Sequence, residues 1–109
     1  MRIMPGWIAA IAAIGVTGLF GVAGPVRADQ DLVVKKNCLA CHQVDKRKYG
    51  PNFKEVAAKY ADQKNATELL AKKIRRGGTG VWGPDVMPPQ PQVSAAEARI
   101  LAKYVLSLK

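Results

Sequence analysis

The pattern of apolar and charged positions changes character near residue 28. Between Ile3 and Val26 no residue is charged, and the apolar run is diluted by Gly15, Gly18, Gly21, Gly24 and Pro25. After Arg27-Ala28 charges appear throughout and apolar residues recur at helical spacing, which predicts four helices. The first is expected over 31–40, with Leu32, Val33 and Leu39 apolar, Lys35 and Lys36 facing water, and Asp29 and Asp31 at the positive end of the helix dipole. The second, over 52–61, carries Phe53, Val56, Ala57 and Tyr60 at i, i+3, i+4 and i+7. The third, over 67–76, has Thr67 as its expected cap, Leu70 and Ile74 on one face, and Gly77-Gly78 as its stop. The fourth, over 94–108, opens on the capping-box pattern Ser94-Ala95-Ala96-Glu97 and lines one face with Ile100, Leu101, Tyr104, Val105 and Leu108. No strand-like alternation occurs. The stretch from Gly77 to Val93 has no period and is rich in Gly and Pro, and a loop of that length in so small a chain is usually functional.

Arg2, the apolar stretch and Val26-Arg27-Ala28 together read as a secretory signal over residues 1–28, cleaved after Ala28. A retained membrane anchor is the alternative, since the stretch is long enough to span. The folded domain is then expected over 29–109. The whole chain carries 17 Lys and Arg against 8 Asp and Glu, a net +9, and loss of Arg2 and Arg27 leaves +7. With 49% apolar and 23% charged residues it is no disordered tail, and two Cys exclude a disulfide-dense scaffold. A domain this small sits near the limit of what burial alone stabilises, so a staple or cofactor is expected.

Cys38-Leu39-Ala40-Cys41-His42 has the C-x-x-C-H spacing of covalent c-type haem attachment. The two thiols reach the vinyl groups on one side of a porphyrin, and the next imidazole lies under the iron. A thioredoxin-like site wants a βαβ context that this sequence lacks. A zinc site wants four N or S donors, and the chain offers two Cys and one His. A Cys38–Cys41 disulfide would close a tiny loop and add little stability. Beyond the leader the chain has a single methionine, Met87, set between Pro84 and Pro88-Pro89 in the aperiodic loop. Prolines restrict the arm that carries it, as suits an axial ligand; a methionine that merely fills a gap in the core is the other reading. His/Met ligation raises the potential of a haem and closes both axial positions, which suits electron transfer better than catalysis.

The C-x-x-C-H motif at 38–42, Gly50-Pro51, Gly80-Val81-Trp82-Gly83-Pro84, Met87-Pro88-Pro89 and the closing Leu101-Ala102-Lys103-Tyr104-Val105-Leu106 occur in an order that resembles short bacterial class I cytochromes c of the cytochrome c-551 type. That resemblance implies an all-α fold wrapped around one covalently attached haem, with first and last helices crossing. It implies that the Pro51 carbonyl accepts a hydrogen bond from His42, that the Trp82 indole bonds a haem propionate, and that Lys73 lies near a propionate. A plain turn proline, packing of Trp82 on the haem edge and a solvated lysine are the competing readings. It further implies a soluble, monomeric electron carrier of the periplasm, not an enzyme, linking a quinol-oxidising complex to a nitrite reductase, an oxidase or a photosynthetic reaction centre. Three positions depart from the pattern: Gln90 where Asn is common, Val33 where an aromatic is common, and Asn37 where Gly is frequent.

A peroxidase or gas sensor would need an exchangeable sixth site, and a peroxidase also a distal acid–base group; there is no second His to serve. Lys46-Arg47-Lys48, Lys72-Lys73 and Arg75-Arg76 concentrate positive charge. Export sets nucleic acid aside and favours acidic redox partners or an anionic membrane surface. Solubility alone is the plainer explanation of the same charge.

Overall fold

The computed structural model describes Gly15 and residues 25–108, so most of the expected leader lies outside the described residues. Four helices follow in order: α1 Pro25–Lys35, α2 Phe53–Tyr60, α3 Ala66–Arg76 and α4 Ala95–Ser107, with a single 3-10 turn at Cys38–Ala40 between α1 and α2. Among the described residues there is no strand, only an isolated antiparallel bridge between Gly78 and Met87.

The first helix is described from Pro25 onward, and its C-terminal end differs from the sequence expectation. It ends at Lys35 because Asn37 takes a left-handed φ of 67° before the 3-10 turn that carries the attachment motif. Asn is among the few side chains that tolerate that conformation. Leu39, expected on the helix's apolar face, is instead 41% exposed.

The other helices follow their caps. Asn52 accepts the Glu55 N–H at 2.7 Å and starts α2. The start of α3 is one residue earlier than expected; Asn65 holds the cap position without a side-chain bond, and Thr67 lies inside the first turn. Its end is Gly77, at φ 71°, where any Cβ would lie 2.8 Å from the Pro88 carbonyl carbon. The full capping box forms at α4: Ser94 Oγ accepts from Glu97 N–H at 3.1 Å, and Glu97 Oε1 accepts from Ser94 N–H at 3.0 Å.

Helix α4 is the hub and packs against α1, α2 and α3. It buries Ala98, Leu101, Ala102, Tyr104 and Val105, while Ile100, expected on the same face, is exposed. At about 100° per residue Ile100 lies across the helix from the buried Ala98 and Ala102, which leaves it outside the stripe. Val33 of α1 and Tyr104 of α4 share the core with Phe53, Val56, Tyr60 and Leu70. The C-terminal end of α1 is tied to the start of α4 by Lys36, whose Nζ donates to the Gln92 carbonyl at 2.9 Å and pairs with Glu97 Oε2 at 3.2 Å.

The Ser94 N–H, and after it Lys36, hold the Glu97 carboxyl below the ordinary glutamate range. A group whose folded pKa is depressed stabilises the fold above its unfolded pKa and loses that contribution as pH falls through the folded value. Glu97→Gln keeps an acceptor for Ser94 N–H and removes the charge. Its thermal midpoint should therefore fall less than that of the parent between neutral pH and the acid side of the glutamate range, in melts of the haem-loaded protein. Parallel pH profiles would show that the Lys36–Glu97 corner does not couple to folding.

Candidate functional site

The segment after α1 turns back on itself twice. His42 N–H and Cys41 N–H both donate to the Cys38 carbonyl, at 3.0 and 3.3 Å, which gathers the attachment motif into one turn. Gly50 N–H then donates to the Cys41 carbonyl at 2.8 Å, bringing Gly50-Pro51 beneath the His42 ring. A Cβ on Gly50 would sit 2.7 Å from His42 Nδ1 and 3.1 Å from Nε2, so only glycine leaves room for the imidazole. Phe53 stacks on the same ring, with centroids 5.4 Å apart and planes at 24°.

His42 Nδ1 lies 2.8 Å from the Pro51 carbonyl oxygen. A carbonyl can only accept, so Nδ1 carries a proton, and in the neutral imidazole Nε2 then keeps its lone pair. That is the tautomer an imidazole needs to bind a metal through Nε2, with its other nitrogen oriented by a backbone acceptor. Proline is an apt residue here: it offers a carbonyl and no competing N–H.

Met87 comes from the opposite half of the chain and is fixed through its backbone. Gly78 N–H donates to the Met87 carbonyl at 3.0 Å, and Met87 N–H donates to the Gly78 carbonyl at 2.9 Å. Gln90 N–H, donating to the Arg75 carbonyl at 3.1 Å, ties the end of the methionine segment to α3. Gln90 spends its amide on its own loop: Nε2 donates to the Pro88 carbonyl at 2.9 Å, and Oε1 accepts from Gln92 Nε2 at 2.6 Å.

These two halves enclose one apolar-walled cavity of about 220 Å³, and Cys38, Cys41, His42, Pro51, Trp82 and Met87 all line it. Both thiols are free, and burial pushes the Cys38 thiol above its ordinary value. The helices around the motif, with no strand among the described residues, speak against the thioredoxin-like alternative and its βαβ context. The donor set fits a haem: two thiols for its vinyl groups, a metal-ready imidazole, a soft thioether, and apolar walls from Phe53, Val56, Leu70 and Leu101. Lys73 lies at this cavity as well, whereas Lys72, Arg75 and Arg76 line a separate groove with Arg99 between α3 and α4. One hundred degrees per helical residue thus divides the positive cluster into a part at the cavity and a part away from it.

Sequence reasoning did not assign roles to Phe53, Gly78 or Arg47 at this site. Phe53 was placed only as core. The bridge from Gly78 to Met87 has no sequence signature beyond the paired glycines. Arg47 Nη2 donates to the Trp82 carbonyl at 2.8 Å, a contact across 35 positions that no local pattern shows.

The cytochrome c family model matches residues 28–109. The chain is 48% identical over 103 residues to cytochrome c-552 of Nitrosomonas europaea, covering 94% of this chain and 96% of that one. Against cytochrome c-551 of Pseudomonas aeruginosa it is 45% identical over 101 residues, covering 92% and 96%. The crystal structure of wild-type Nitrosomonas europaea cytochrome c552 superposes with a TM-score of 0.72 at 51% identity, covering 73% of this chain and 99% of that one. With these relatives and this cavity, the chain belongs to the cytochrome c family: an electron carrier of the c-551 type with one covalently bound c-type haem.

Proposed function

We propose that the protein is an exported, soluble one-electron carrier of the periplasm, with a mature N-terminus at Asp29 and haem iron held axially by His42 and Met87. The observation that carries this reading is the meeting of His42, with its Nδ1 proton committed to Pro51, and the backbone-pinned Met87 in one cavity with both cysteines. Bound there, the haem supplies an Fe(II)/Fe(III) couple. Cys38 and Cys41 keep it from dissociating outside the cell. His42 is held in one tautomer and one orientation. The Gly78–Met87 bridge holds the thioether arm in place in either oxidation state, so little need move when an electron arrives. Trp82, half-buried at the cavity, would bond a propionate. Tyr49, Val81 and Val86 are exposed apolar residues of the cavity lining, and they form an apolar docking rim beside Arg47 and Lys73. Charge of that sign favours encounter with acidic redox proteins: a quinol-oxidising donor and a reductase, oxidase or reaction-centre acceptor.

The exported protein, with an intact mass beginning at Asp29 and including one haem, should show a low-spin c-type spectrum with a methionine–iron charge-transfer band. Met87→Ala should keep the haem, because the thioethers are elsewhere, lose that band, and lower the potential by on the order of tenths of a volt, within the span of about 0.8 V that axial ligands command. An unchanged band and potential would show that Met87 is not the ligand.

The division of the basic cluster gives a second test. Lys73→Glu should slow bimolecular electron transfer with an acidic partner several-fold at low salt, and Lys72→Glu should slow it far less, with both differences shrinking as the screening length falls to about 10 Å at 0.1 M salt. Equal rates for the two variants and the parent at every salt concentration would mean that docking rests on the apolar rim alone.

A further inference from the structure

The loop from Gly77 to Val93 carries both Trp82 and Met87, and its two ends are fixed differently from its middle. At one end Gly77 N–H donates to the Lys73 carbonyl at 2.8 Å, and near the other Gln90 N–H donates to Arg75. Between them, residues 79–86 bond mainly to themselves: Gly80 N–H donates to the Gly83 carbonyl at 3.1 Å, and Thr79 Oγ1 donates weakly to Pro84 and Asp85. Among the described residues, one hydrogen bond joins this middle section to another part of the molecule, and it is Arg47 Nη2 to the Trp82 carbonyl at 2.8 Å. Lys59 Nζ adds a cation–π contact, 5.4 Å from the Trp82 ring centroid.

Both cations stand on the His42 side of the cavity, Arg47 in the loop after the attachment motif and Lys59 in α2, while Trp82 stands on the Met87 side. The guanidinium also lies near Gly83, where a Cβ, if present, would come 3.8 Å from Arg47 Nη2. A charge-assisted hydrogen bond from Arg outweighs an exposed cation–π contact, and the planar fork holds its direction better than an ammonium would. Lys46 and Lys48, its neighbours, make no bond to this loop: Lys48 Nζ reaches back to the Leu39 carbonyl at 3.5 Å.

We propose that Arg47 is a positioning residue that latches the Trp82–Met87 loop across the haem crevice, and that this latch sets how often the loop opens to admit small ligands to the iron. The effect on the iron rests on Met87 being its axial ligand; the effect on the loop does not. Local opening breaks the Gly78–Met87 pair and lifts residues 78–87 while Gly77 and Gln90 stay tied to α3, so the latch acts on a partial unfolding well below the global one.

The test uses the haem-loaded protein with Arg47→Met, which keeps the length and loses charge and donors, and Arg47→Lys, which keeps the charge and loses the fork. Three quantities are measured: hydrogen exchange of the Met87 amide, which is bonded to Gly78 and reports opening without reference to iron; the rate at which imidazole binds the ferric protein; and global stability in denaturant. Arg47→Met should speed both local processes about tenfold, equivalent to about 1.4 kcal/mol of opening free energy, with Arg47→Lys between it and the parent and global stability little changed. Unchanged Met87 exchange, or exchange that rises only in step with a global loss, would overturn the latch, as would Arg47→Lys matching the parent, since charge alone would then suffice. Faster Met87 exchange with an unaltered imidazole rate would leave the latch standing and count against Met87 ligation.

Discussion

His42 has two ring nitrogens, and the hydrogen bond from Nδ1 to the Pro51 carbonyl at 2.8 Å decides which of them faces a metal. The rest of the proximal half follows from that bond. Pro51 must be brought beneath the ring, which the Gly50 N–H to Cys41 carbonyl bond does. Gly50 must lack a side chain, because the imidazole occupies the space a Cβ would need. Phe53, the first residue of α2, then packs on the ring and links it to the core that α4 organises. A histidine freed from this arrangement would rotate and change tautomer, and metal affinity would fall with it.

The distal half solves a different problem, that of holding a methionine on a segment with almost no regular structure. Prolines at 84, 88 and 89 reduce the conformations open to the chain, and Gly77 supplies the positive φ that turns it out of α3. The paired bonds between Gly78 and Met87 then act as a minimal piece of sheet, enough to set the register of the arm. The two halves meet at the cavity, and Arg47 with Lys59 spans them at Trp82. Covalent attachment, a fixed imidazole and a pinned thioether arm together leave few atoms to rearrange, as fits a carrier that must exchange one electron quickly.

Much of this was legible in the sequence, for identifiable reasons. The C-x-x-C-H spacing, the lone methionine among prolines and the Ser94–Glu97 capping box are local patterns, and local patterns survive without coordinates. The Pro51 bond to His42 was legible only through family resemblance, because nothing about a Gly-Pro pair by itself says which side chain will reach its carbonyl. The end of α1 was misplaced because Leu39 fits the helical period, while Asn37, in a left-handed conformation, turns the chain into a 3-10 turn. Ile100 was put on the buried face because it lies one turn from Tyr104, yet the buried stripe centres on Ala98, Leu101, Ala102 and Val105 and leaves it outside. Asn37 had no visible consequence until its left-handed φ was seen. The Arg47–Trp82 bond and the separation of Lys73 from Lys72 depend on tertiary packing and helix rotation, which composition does not encode.

The central claim is that His42 and Met87 meet on one haem iron in this cavity, with the His42 Nδ1 proton held by Pro51. Proton NMR of the reduced, haem-loaded protein tests it most directly. The account predicts that the Met87 methyl resonates far upfield, in the ring current above the porphyrin face, and that a slowly exchanging His42 Nδ1 proton shows a nuclear Overhauser contact to Pro51. A Met87 methyl at its ordinary shift, or a His42 Nδ1 proton in free exchange with water, would contradict it.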